Sequence, residues 1–115
     1  MRDVSFYRTA SGHSPVENFL DKLTDVQVEA SYQVIRALRE EERIGTHLLR
    51  KLTVDIWELR VRSGGQQIRY LGFYDGRTLV VLTSGFLKKT RRTPRNEITT
   101  AESRRKDHLE RHRDG

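Results

Sequence analysis

The chain has 115 residues, no cysteine, and 22 Lys/Arg against 16 Asp/Glu, for a formal net charge of +6. That length predicts one domain, 1–115, able to bury a core without covalent staples, and the missing thiols exclude disulfides, thiolate metal sites and a cysteine nucleophile. No apolar run reaches the length of a signal h-region or a membrane span, so the expectation is a soluble cytoplasmic protein with no membrane partner.

The charge is unevenly placed. Residues 1–42 carry five Lys/Arg against eight Asp/Glu, net −3, whereas residues 43–115 carry seventeen against eight, net +9. A basic half of this kind suits a polyanionic partner, because neutralising phosphates releases condensed counterions. A merely basic solvated surface accounts for the charge alone equally well.

In chain order, DVSFYR (3–8) predicts a short strand beside a sheet. Ser14-Pro15 opens a helix, with proline at the first helical position where its missing N–H costs nothing, and Val16, Phe19, Leu20 and Leu23 form one apolar stripe. Thr24 or Asp25 caps a longer helix carrying Val28, Tyr32, Ile35 and Leu38 at helical spacing. It closes on Glu40-Glu41-Glu42, acids at the negative end of the helix dipole, with Gly45 as its stop. HLLRKL (47–52) links this helical hairpin to the sheet and can hold a short strand.

From Asp55 to Pro94 the sequence predicts three consecutive antiparallel strands and a cationic exit loop. Trp57, Leu59 and Val61 alternate with Glu58, Arg60 and Arg62, giving one apolar face for the hairpin to cover and one charged face. Gly64-Gly65 supplies the first reversal and Asp75-Gly76 predicts a two-residue turn. TLVVLTSGF (78–86) is apolar enough to be an interior strand. Lys88, Lys89, Arg91, Arg92 and Arg95 follow with no acid before Glu97. Thr93-Pro94 then starts a last helix with few apolar positions, Ile98, Ala101 and Leu109, whose far end is expected to be solvated, frayed or ordered by a partner.

The phrase WELRVRSGG…IRY…DGRT, then VVL, GF, KKT and TP, after one strand and two helices, resembles the RelE/ParE superfamily of toxins from type II toxin–antitoxin modules. Within it the chain is most similar to the phage-derived HigB-like branch. The resemblance implies a RelE-like α+β fold: a twisted antiparallel β-sheet, an N-terminal helical hairpin packed on one face, and a C-terminal helix over about 94–115. Active members enter the ribosomal A site and cut mRNA there. Carried over by position, the resemblance gives Arg60, Arg62, Arg69, Lys88 and Lys89 as the residues that bind and activate RNA; of these Arg60, Arg69, Lys88 and Lys89 are expected to be catalytic, and Arg62, with Arg91, Arg92 and Arg95 of the exit loop, RNA-binding. It also implies a helix-turn-helix, HigA-like antitoxin as partner, the ribosome and mRNA as targets, and neither cofactor nor metal. One departure stands out: several members complete the site with a C-terminal Tyr or His, whereas this chain has no Tyr after Tyr74, and His108 and His112 fall on the last helix.

Metal-free RNA cleavage requires a base for the ribose 2′-OH, cations for the charge developing on phosphorus, and an acid for the leaving 5′-oxygen. Arginine suits the second task because it is always charged and forks onto phosphate oxygens. Lysine among other cations gives up its proton more readily, so Lys88 or Lys89 is the expected proton-transfer group. Bland alternatives exist: Arg60 and Arg62 as the wet face of a strand paired with Glu58, Arg69 as a structural arginine in phase with Leu71 and Phe73, His13 and His47 as loop residues, and Trp57 as a core anchor. Two other functions fit the same pattern, a ParE-like inhibitor of DNA gyrase and a non-catalytic basic domain that binds nucleic acid.

Overall fold

The computed structural model describes residues 1–112. Its elements run β1 (Asp3–Phe6), α1 (Pro15–Leu20), α2 (Asp25–Glu40), β2 (Leu49–Lys51), β3 (Trp57–Ser63), β4 (Gln66–Asp75), β5 (Leu79–Leu87) and α3 (Arg95–Arg111). The five strands form one sheet in the order β1-β5-β4-β3-β2. β2 through β5 pair antiparallel, as the hairpin signals require, but β1 joins β5 in parallel, so the sheet is mixed. The long crossover through both helices permits that direction, which a tight hairpin would forbid. No helix among the described residues is long and apolar enough to cross a membrane.

Both hairpin helices start where the sequence marks them. Ser14 accepts from the Glu17 N–H at the head of α1, and Thr24 with Gln27 makes a reciprocal capping box on α2. α2 stops at Glu40, well short of Gly45, and the unfavourable acidic end is offset from a distance. Arg2 donates from its Nη1 to the Leu38 carbonyl at 3.2 Å and from its Nη2 to the Glu42 carbonyl at 2.9 Å, while its Nε donates to the Tyr74 hydroxyl at 3.0 Å. A cation thus sits at the negative helix end and holds carbonyls that have no intrahelical partner.

Alternation divides the core into two. Val16, Leu20, Ile35 and Leu38 of α1 and α2 bury Leu59, Val61, Ile68, Tyr70 and Leu82 of the sheet. Gly85 lets the Phe19 ring lie on β5, edge-on to Tyr70 with centroids 5.6 Å apart; a Cβ there would strike that ring. On the opposite face Ile56, Leu71, Phe73, Val81 and Phe86 pack with Ala101, Ile98 and Leu109 of α3. The helices therefore cover both faces, and the charged face predicted from β3 is charged only at one end.

The sparse apolar stripe of α3 predicts a solvated, frayed or partner-ordered far end; residues 113–115 lie outside the described part, and within it the exposed last turn is tied back by polar contacts. The Tyr7 hydroxyl donates to Asp107 at 2.6 Å, Arg111 holds the same carboxylate, and buried His108 meets Asp75 at 3.0 Å. Polar anchors replace the missing apolar ones. Asp75 is consequently kept in β4 opposite Leu79, so Gly76, Arg77 and Thr78 form the turn where a two-residue Asp-Gly reversal was expected. Only Gly76 of these takes a positive φ.

The Tyr70 hydroxyl is fully buried and donates to Ser31 at 2.7 Å; burial pushes its pKa up to about 12. The unfolded chain releases such a proton near 10, so the stabilisation is complete below pH 10 and is lost as pH rises from there toward 12. Tyr70→Phe is expected to cost about 1 kcal/mol at neutral pH and to flatten part of the alkaline decline, measured by urea denaturation between pH 7 and 12.

Candidate nucleic-acid site

The uncovered end of the α3 face is built from strand register. Arg60 on β3 stands directly opposite Arg69 on β4, and Arg50 on β2 stands opposite Glu58. Two like charges facing each other across a ladder repel, so the pair needs a counterion. Glu58 supplies it, a residue only 1% exposed whose Oε1 lies at 3.6 Å from the Nε of both arginines. Its Oε2 accepts from the Thr93 hydroxyl, just before Pro94, the N-cap of α3. One buried acid therefore ties the sheet to the exit loop.

Arg69 is held further by its own strand, its Nη2 donating to Gln67 at 2.5 Å and its Nη1 to the Ile68 carbonyl at 3.1 Å. The Nε atoms of Arg60 and Arg69 are buried without a hydrogen-bond partner among the described residues. Burial lowers the proton affinity of Arg69 below the ordinary arginine value, with Glu58 opposing and Arg60 and Arg62 adding. The guanidinium nonetheless stays charged at any ordinary pH. Lys88, whose N–H still pairs with the Gln67 carbonyl beyond the end of β5, is half-buried. Burial pulls its ammonium below the usual lysine range; Arg69, Arg60 and Arg50 add to this and Glu58 opposes it.

These side chains enclose a recess of about 380 Å³ lined by Arg60, Gln67, Arg69, Lys88, Lys89, Thr90 and Arg91. Four candidates from the sequence, Arg60, Arg69, Lys88 and Lys89, thus meet in one place with Arg91 at the rim. Arg62 is exposed and lines a neighbouring recess instead. Arg92 and Arg95 are exposed and line neither of the two. Sequence reasoning treated Glu58 only as a neighbour of Arg60 and Arg62 and passed over Arg50. The signal for both was available in the alternation of β3 and in the cationic LRK of the linking segment, but their register with Arg60 required the sheet.

A recess where three cations share a single buried carboxylate keeps excess positive charge in a partly dry setting, where an anion gains most from charge-assisted hydrogen bonds. Fold and recess together define the class: a small basic α+β domain with a guanidinium pair at the end of one sheet face. The chain belongs to the family described as phage-derived protein Gp49-like (DUF891), whose profile matches residues 18–106. No curated protein matches it significantly. Among solved structures, the crystal structure of an archaeal RelE–RelB complex from Pyrococcus horikoshii OT3 aligns with 80% of this chain and 98% of that one, at 18% identity and a TM-score of 0.47.

Removing the counterion leaves the buried Arg69 guanidinium and the half-buried Arg60 beside it uncompensated. Glu58→Ala is therefore expected to destabilise the fold by about 3–5 kcal/mol, and adding Arg69→Met to recover part of that loss, both read from urea denaturation midpoints.

Proposed function

We propose that this chain is the toxin of a type II toxin–antitoxin pair, of HigB type, and acts as a metal-independent, ribosome-dependent mRNA endonuclease that stops translation. The observation that carries the reading is the meeting of Arg60, Arg69 and Lys88 around buried Glu58. Membership of the Gp49-like family and the sequence resemblance set out above support it.

In this reading the scissile phosphate occupies the recess, with the guanidinium groups of Arg60 and Arg69 compensating charge as it builds on the non-bridging oxygens. Lys88, readier than an ordinary lysine to lose its proton, takes the proton of the ribose 2′-OH. The 2′-oxygen attacks phosphorus, the bond to the 5′-oxygen breaks, and the products are a 2′,3′-cyclic phosphate and a 5′-hydroxyl. Lys89, Arg91, Arg62, Arg92 and Arg95 hold neighbouring phosphates, contacts that position the strand without reading its sequence. Glu58 is no candidate for the base, because both its oxygens are already engaged. A helix-turn-helix antitoxin of HigA type, presenting an acidic segment, covers the basic recess and keeps the toxin silent. That complex is expected to weaken steeply as salt is raised, in titrations between about 50 and 500 mM; an affinity indifferent to salt contradicts the charge-based contact.

Induction in bacteria followed by primer extension tests the activity. In-frame cuts confined to translated regions are expected, and Lys88→Ala is expected to slow cleavage about 10²–10⁴-fold. DNA-damage signalling with intact mRNA would instead point to gyrase, and arrest with neither would point to simple nucleic-acid binding.

A further inference from the structure

In-line displacement at phosphorus places the attacking and leaving oxygens on opposite sides of the phosphate, so a base and an acid must approach from two directions. Two recesses reach the guanidinium pair. A second recess, also of about 380 Å³, adjoins the first and shares Arg60, Gln67 and Arg69 with it. Lys88 lines one recess and His47 the other. Arg60 and Arg69 therefore share one recess with a lysine and the other with a histidine, an arrangement that the sequence did not suggest because His47 falls in the link before β2, far from both strands.

We propose that His47 is the general acid of this site and protonates the leaving 5′-oxygen while Lys88 accepts the proton of the attacking 2′-OH. This rests on the nuclease reading and completes its balance: one proton leaves the 2′-oxygen for Lys88, the P–O5′ bond breaks as the P–O2′ bond forms, and one proton passes from His47 to the 5′-oxygen. An imidazole ring can carry a proton donor as well as an acceptor, and His47 is exposed to water. The placement is held by the backbone, since the N–H groups of Leu48 and Leu49 both donate to the Gly45 carbonyl, at 2.9 and 3.0 Å. The ring rests on Gly45: a Cβ at that position would lie 2.6 Å from Nδ1 and 2.7 Å from Cε1. Gly45 does not occupy the positive-φ region, so its bareness serves the ring above it and not the turn.

The test uses programmed ribosomes, the whole protein, and two mRNAs that differ at the cut linkage, one ordinary and one with sulfur replacing the bridging 5′-oxygen. A thiolate leaves without protonation, so only the ordinary linkage needs an acid. His47→Gln, at an exposed position that leaves the core intact, is expected to cut ordinary mRNA about 10²-fold more slowly or worse, and the sulfur-containing mRNA at close to the wild-type rate. Lys88→Ala is expected to be slow on both. Gly45→Ala, which keeps the imidazole but displaces it, is expected to show a smaller defect that sulfur also removes. His47→Gln cutting ordinary mRNA at close to the wild-type rate, or equally slow on both substrates, overturns the assignment. Wild-type protein that cuts neither mRNA overturns the nuclease reading and the assignment with it, a result distinct from a defect confined to the His47 variant.

Discussion

A carboxylate with almost no access to water, held between two arginines and a threonine, is the constraint on which the rest of this molecule depends. Glu58 lets Arg60 and Arg69 face each other across neighbouring strands, an arrangement that bare electrostatics would push apart. Through Thr93 it also fixes the loop that carries Lys88, Lys89 and Arg91. Burying such a group costs desolvation on both sides, and replacing it with apolar residues would often be neutral or better for stability alone. What the arrangement retains is a concentration of positive charge with donors left over.

The surrounding fold decides where that charge is presented. Helices lie on both faces of the sheet, α1 and α2 over one and α3 over the other, so most of the sheet is unavailable to any ligand. The two recesses open where β3 and β4 meet the link before β2 and the loop after β5, and the guanidinium pair is common to both. The far part of α3 is anchored away from these recesses, through Tyr7 with Asp107 and Asp75 with His108.

Much of this was legible in the sequence. The hairpin helices, their caps, the three central strands and the Gly-Gly turn all follow from local rules, because alternation, helical spacing and cap chemistry each act over a few residues. The convergence of Arg60 and Arg69 with Lys88 and Lys89 was anticipated on the strength of a family resemblance. Long-range features were not legible. The parallel pairing of β1 depends on a crossover, and the docking of α3 on His108 and Asp107 meeting partners on distant elements. The role of Glu58 depends on a register that places it diagonally from Arg69. His47 looked like an ordinary loop residue because nothing near it in sequence shares its recess.

The central claim is that this cluster directs a 2′-hydroxyl onto the adjacent phosphate. The chemistry of the cut ends tests it most directly: mass spectrometry of mRNA fragments released from programmed ribosomes by the purified protein. Upstream fragments ending in 2′,3′-cyclic phosphate, or the 3′-phosphate derived from it, and downstream fragments beginning with 5′-hydroxyl are the predicted result. A 3′-hydroxyl paired with a 5′-phosphate would mean that water attacked the phosphorus, and would contradict the account.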